Sequence, residues 1–231
     1  KRFQENNFSG AIQSFNLVKK YPVDPAVSGK AIYWVADANY RLKKYDLAIQ
    51  GFKKFAILPS TQAKEMQNEA HYNVGYAYLE KKELTLSTEA FRIYIQNNPE
   101  SKKKSADALM RIGDNYFVQA DNDQAIKFYT QALNLNSGYE DQALYYIGKT
   151  NGYKGESHAK ITNLLKLIND HPSSKYLQLA IYEIAESYLS EGQLSKSIQY
   201  YKKIVVEYPN SLLVVESKIN IADIYYKQGD Y

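Results

Sequence analysis

From Leu179 to Pro209 the apolar positions follow two helical stripes separated by a break. Ala180, Ile181, Ile184, Ala185 and Tyr188 share one face of a 3.6-residue helix, Gly192 interrupts it, and Leu194, Ile198, Tyr201, Ile204 and Val205 mark a second helix. Tyr208-Pro209 ends that second helix, because proline cannot continue it. The same pattern recurs along the chain. A small residue is followed sixteen positions later by a bulky one at Ala36/Phe52, Gly75/Phe91, Gly113/Tyr129, Gly148/Leu164 and Ala185/Tyr201, with Ala11/Phe15 and Ala222 extending the register at either end. A second small residue stands between them at Ala48, Ser87, Ala125 and Ser197. The bulky members Phe15, Phe52, Phe91, Tyr129, Leu164 and Tyr201 step by 37, 39, 38, 35 and 37 residues. A helical unit of this length, copied in tandem, completes its core only by stacking on its neighbours.

The copies divide the chain into units at 29–59, 66–99, 104–137, 141–172 and 177–209, with partial units at 1–22 and 214–231. Small residues five before the Gly/Ala and at the Gly/Ala itself (Ala31/Ala36, Ala70/Gly75, Ala108/Gly113, Ala143/Gly148, Ala180/Ala185, Ser217/Ala222) let two antiparallel helices approach closely. The rings sixteen on fill the space against the next pair. Closing turns at Tyr21-Pro22, Leu58-Pro59, Asn98-Pro99, His171-Pro172 and Tyr208-Pro209 lie near Ser, Thr or Asp residues able to cap the following helix. The expected fold is all-α: about twelve antiparallel helices in a right-handed superhelix, as a single array beginning and ending within repeats of a longer protein.

A helix with Gly/Ala followed three residues later by Tyr, then a turn, a small residue, an aromatic four on and a closing Pro resembles the tetratricopeptide repeat. The residues that carry the resemblance are Val74-Gly75-Tyr78-Ser87-Phe91-Pro99, Ile112-Gly113-Tyr116-Ala125-Tyr129 and Ile184-Ala185-Tyr188-Ser197-Tyr201-Pro209. Asn39 and Asn151 depart from the Tyr position, Lys160 from the second small position and Gly138 from the proline, so irregular packing is expected at Lys149 to Pro172. The linkers Tyr208-Pro209-Asn210-Ser211 and His171-Pro172-Ser173-Ser174 are similar to those of tetratricopeptide lipoproteins of the bacterial envelope, which implies a periplasmic or outer-membrane-associated location. The resemblance implies a non-catalytic scaffold for protein partners, in envelope assembly or maintenance. The alternative is a recruiting or regulatory arm of a larger enzyme or signalling protein.

On such a scaffold the first helix of each pair lines the concave surface. Residues three before, one after and four after the Gly/Ala share that face. The expected groove is Tyr33, Asp37, Tyr40, Tyr72, Tyr76, Leu79, Met110, Asp114, Phe117, Tyr145, Lys149, Tyr182, Glu186, Leu189, Asp223 and Tyr226, with Gly152 and Ile219 in the same register. Tyrosine, of which the chain has 23, suits an interface through its area and polar tip. The acids Asp37, Asp114, Glu186 and Asp223 point to a partner segment carrying Lys or Arg.

Charge and composition remove other classes. A net charge of +4, with lysine pairs scattered along the chain, gives no nucleic-acid footprint. Without cysteine there is neither a disulfide nor a thiolate metal site. No apolar run approaches the length of a membrane span. His71, His158 and His171 have no second ligand at metal spacing, so no metal or other cofactor is expected. Ala143 to Thr150 resembles a relaxed phosphate loop in wording alone, because its apolar residues continue a helix. Asn7-Phe8-Ser9 is a formal glycosylation triplet, and Glu5, Glu65, Glu69, Glu80 and Glu83 are solvated-face charges.

Overall fold

A computed structural model describes residues 7–18, 25–59 and 64–229; Glu5, Tyr21-Pro22 and Asp230-Tyr231 lie outside the described residues. The described residues form twelve α-helices: α1 (Phe8–Val18), α2 (Pro25–Arg41), α3 (Tyr45–Ala56), α4 (Lys64–Glu80), α5 (Leu84–Gln96), α6 (Lys102–Val118), α7 (Asn122–Leu133), α8 (Glu140–Tyr153), α9 (Ser157–Asp170), α10 (Leu177–Ser190), α11 (Leu194–Glu207) and α12 (Val214–Gln228). They group into two compact units, Lys1–Asn115 and Tyr116–Tyr231. In the first unit α2 packs on α3 and α4 on α5, with α3 also against α4. In the second, α8 pairs with α9 and α10 with α11, and α12 covers α11.

The small and bulky positions do what their spacing predicts. A Cβ added to Gly75 would come within 2.7 Å of the Phe91 ring, and one at Gly148 within 2.9 Å of Leu164. Phe91, Tyr129, Leu164 and Tyr201 are fully buried and Phe52 is 1% exposed. The second small positions Ala48, Ser87, Ala125 and Ser197 are likewise closed off. Ala222 departs from its equivalents and is exposed, because no described helix lies over it.

Each pair turns on one backbone device. Lys43, Lys82, Ala120, Gly155 and Gly192, all seven residues past the Gly/Ala, adopt φ between 58° and 77°. The following N–H then reaches back to a carbonyl in the last turn: Lys44 to Asn39 at 2.8 Å, Glu83 to Tyr78 at 2.9 Å, Asp121 to Tyr116 at 2.9 Å, Glu156 to Asn151 at 2.9 Å and Gln193 to Tyr188 at 2.8 Å. This is the Schellman closure, which satisfies carbonyls the helix leaves open. Glycine suits it best, yet three of the five positions carry a side chain.

The serines act near the starts of first helices. Ser101 Oγ accepts from Lys104 N at 3.2 Å, Ser174 Oγ from Tyr176 N at 3.0 Å and Ser211 Oγ from Leu213 N at 3.2 Å. The irregular packing expected at Lys149 to Pro172 is not found, for α8 and α9 are regular and share a core with α10. Two features accommodate Lys160. Gly152, one turn past Gly148, leaves room for its stem, which a Cβ there would meet at 2.9 Å. Its ammonium then reaches Glu183 of α10 at 2.5 Å, so a long side chain replaces a small one without leaving its charge buried alone.

Candidate functional site

In the first unit, the face offered by α2, α4 and α6 is a hydrogen-bonded seam as much as a surface. Tyr33 is 8% exposed, its ring meets Phe52 and Phe55 edge-on with centroids 5.3 Å away, and its hydroxyl accepts from Asn73 Nδ2 at 2.9 Å. Tyr72 donates to Asp107 Oδ2 at 2.7 Å, and Tyr76 donates to the same oxygen. The tyrosines of α4 are thereby tied to α6 through one buried carboxylate. Burial, the largest cause, raises the Tyr33 hydroxyl to about 12. Burial and then Asp107 raise Tyr72 and Tyr76 further.

The second unit repeats this construction. Tyr182 accepts from Asn220 Nδ2 at 3.3 Å, in the same register as Tyr33 and Asn73. Tyr201 donates to Glu186, which also accepts from Asn220 Nδ2 at 3.1 Å. Tyr145 is 7% exposed and stacks on Tyr176 with centroids 5.0 Å apart, while Phe117 meets Tyr153 edge-on at 5.2 Å.

Three expected groove residues are therefore corrected. Met110 is fully buried, and Tyr33 and Tyr145 are almost so, because neighbouring helices pack over these three side chains. Tyr72 and Tyr182, at the same position, stay partly exposed, as do residues at the other two positions. Tyr40, Tyr76, Leu79, Phe117, Lys149 and Leu189 are partly exposed, and Tyr226 is 65% exposed. The sequence reading missed Asn73, Asn220 and Asp107. The two asparagines were signalled by register, both standing two before the Gly/Ala, beside a tyrosine of the preceding copy.

The row of acids is not a row of open negative charge. Asp37 accepts from Arg41 Nε at 2.9 Å, Asp114 pairs with Arg111 at 2.7 Å and Asp223 with Lys227 at 2.6 Å, each a cation three or four residues away on the same helix. Glu186 is occupied by Tyr201 and Asn220. Helical spacing announces such pairs, so they were legible beforehand. Three of the four acids are thus each paired with a cation of their own helix.

One depression lies within the expected face. It encloses about 250 Å³ between α2 and α4 and is lined by Asp37, Tyr40, Arg41, Phe52, Asn73 and Tyr76. A larger hollow of about 420 Å³ in the same unit includes Gln67, Asn68, His71 and Asn97, whose amides are partly spent on the chain's own carbonyls. There, burial and then nearby Lys53 lower the imidazole pKa of His71. Ala143 to Thr150 lies inside α8, where Gly148 is fitted to Leu164. Among the described residues no group of three His, Cys, Asp or Glu is placed to hold a metal, and no helix is long and apolar enough to cross a membrane.

Residues 106–139 and 179–211 match models of the tetratricopeptide repeat. No curated protein shows significant sequence similarity to the chain. Among solved structures it is similar to the C-terminal part of a tetratricopeptide repeat-containing protein from Cytophaga hutchinsonii, with 20% identity and a TM-score of 0.78 over 99% of this chain and 87% of that one. A signal transduction ATPase from Pyrococcus horikoshii with a tetratricopeptide repeat sensor matches all of this chain with 38% of its own, at 17% identity and a TM-score of 0.72. YrrB, a tetratricopeptide protein with an unusual peptide-binding site, matches 91% of this chain with 97% of its own, at 15% identity and a TM-score of 0.61. The chain carries tetratricopeptide repeats, and its all-helical fold is the tetratricopeptide solenoid.

Proposed function

We propose that the chain is a non-catalytic scaffold that holds segments of partner proteins against the first helices of its repeats. The observation that carries this reading is the division of labour on those helices. At Tyr33, Met110 and Tyr145 the position three before the Gly/Ala is spent on packing, while the positions one and four after it leave Tyr40, Tyr76, Leu79 and Leu189 partly open and Tyr226 exposed. Aromatic and aliphatic side chains held on rigid helices bind with little entropy left to lose. The test is capture of partners by the immobilised chain, compared with a variant carrying Leu79→Ala, Leu189→Ala and Tyr226→Ala. The scaffold reading expects capture to fall at least tenfold while the variant still melts cooperatively; equal capture by both proteins contradicts it.

The bacterial envelope is the compartment that the linkers at His171 to Ser174 and Tyr208 to Ser211 suggest, and cell fractionation tests it. The similarity to an ATPase with a tetratricopeptide sensor supports a second reading, a recruiting arm of a signalling protein. An open reading frame encoding a nucleotide-binding domain on the same chain would favour that second reading.

A further inference from the structure

We propose that the depression between α2 and α4 receives a lysine side chain of a partner protein, an assignment that rests on the scaffold reading above. Its floor is Phe52, only 1% exposed, and Tyr40 and Tyr76 add two more rings to its lining. Aromatic walls accommodate both the apolar stem of a lysine and, by cation–π attraction, its ammonium. At the rim stands Asp37, whose side chain keeps 16% exposure. Its Oδ2 accepts from Arg41, and among the described residues its Oδ1 has no hydrogen-bond donor. A carboxylate this enclosed has lost much of its hydration, and the open oxygen is an acceptor suited to a charged donor.

The Tyr40 hydroxyl also makes no hydrogen bond among the described residues, and Glu80 adds a negative field beside it. Arg41 is the opposing charge. Its guanidinium lies 5.6 Å from the centre of the Phe8 ring on α1 while its Nε holds Asp37, so an incoming ammonium shares the carboxylate with it. One open oxygen suits the compact ammonium of lysine better than arginine, whose planar fork favours two-point pairing. Asp223, paired with Lys227 on α12, has no such enclosure and is 52% exposed.

The test uses the whole chain and two capped tripeptides, acetyl-Gly-Lys-Gly-amide and the same peptide with norleucine for lysine. Amide NMR shifts and the fluorescence of Trp34, the one tryptophan, report binding. The lysine peptide should shift the amides of Asp37, Tyr40, Asn73 and Tyr76 and bind about tenfold more tightly than the norleucine peptide, the worth of one charge-assisted hydrogen bond. Asp37→Asn should remove that preference, Tyr40→Leu should weaken binding several-fold, and Asp223→Asn should change nothing. Equal binding of the two peptides, shifts confined to other helices, or an unchanged preference in Asp37→Asn would overturn the assignment. If the lysine peptide fails while capture of partners still depends on Leu79, Leu189 and Tyr226, the lysine assignment falls alone. If that capture is also insensitive to those residues, the scaffold reading falls with it.

Discussion

Gly75 carries its unit by having no side chain: the Phe91 ring occupies the space where a Cβ would stand. Phe91→Ala should therefore open a cavity and cost about 3 to 5 kcal/mol, read by thermal or denaturant melting; a loss below about 1 kcal/mol would mean that the ring is not a core residue. Backbone conformation supplies a second prediction at this scale. Lys82 is exposed and holds φ at 61°, where a Cβ is strained. Lys82→Gly relieves that strain but also loosens the unfolded chain, so a net gain of about 0.5 to 1 kcal/mol is expected in the same melts. Gly192→Ala, at the same point of its repeat, should change stability in the opposite direction. The small and bulky positions were legible because their sixteen-residue spacing survives every change of residue. The turn register was harder to see. Glycine marks it at Gly155 and Gly192, while Lys43, Lys82 and Ala120 hide it under ordinary side chains.

Between elements, tyrosine hydroxyls do much of the fastening. Asp107 binds two phenols of α4 from α6, so Asp107→Leu should strand both and lower stability by about 2 to 4 kcal/mol, with Asp107→Asn costing less. These contacts also set a pH limit. Tyr33 and Tyr145 titrate at about 12 in the folded chain against an ordinary 10.0, chiefly through burial. Their neutral forms contribute in full below pH 10, and that contribution, on the order of 2 kcal/mol each, is lost as pH rises towards 12. Melting temperature should thus stay level through neutral pH and fall between pH 10 and 12, and Tyr33→Phe should soften the fall. A melting temperature unchanged across that interval would contradict the burial of these phenols. Helical periodicity puts the tyrosines on first helices but does not reveal that neighbours cover Tyr33 and Tyr145. Periodicity locates a face; the neighbour that covers it depends on how far apart the helices stand, which no single helix encodes.

For the whole molecule, tandem repeats predict stability that varies along the chain, each helix pair leaning on the next. Within the second unit, α12 exposes Val215, Ile219 and Tyr226 at 67%, 61% and 65%, whereas α10 buries Ala180, Ile181, Ile184 and Ala185 completely. Amide hydrogen exchange should accordingly be faster in α12 than in α10. The central claim, that partners sit on first helices, is tested most directly by placing a photoreactive benzoylphenylalanine at single positions in the producing cell. Substitution at Tyr40 and Leu189 should yield protein adducts on irradiation, and substitution at Leu47 and Leu86, exposed on second helices, should yield none. Adducts from Leu47 and Leu86 with none from Tyr40 and Leu189 would contradict it.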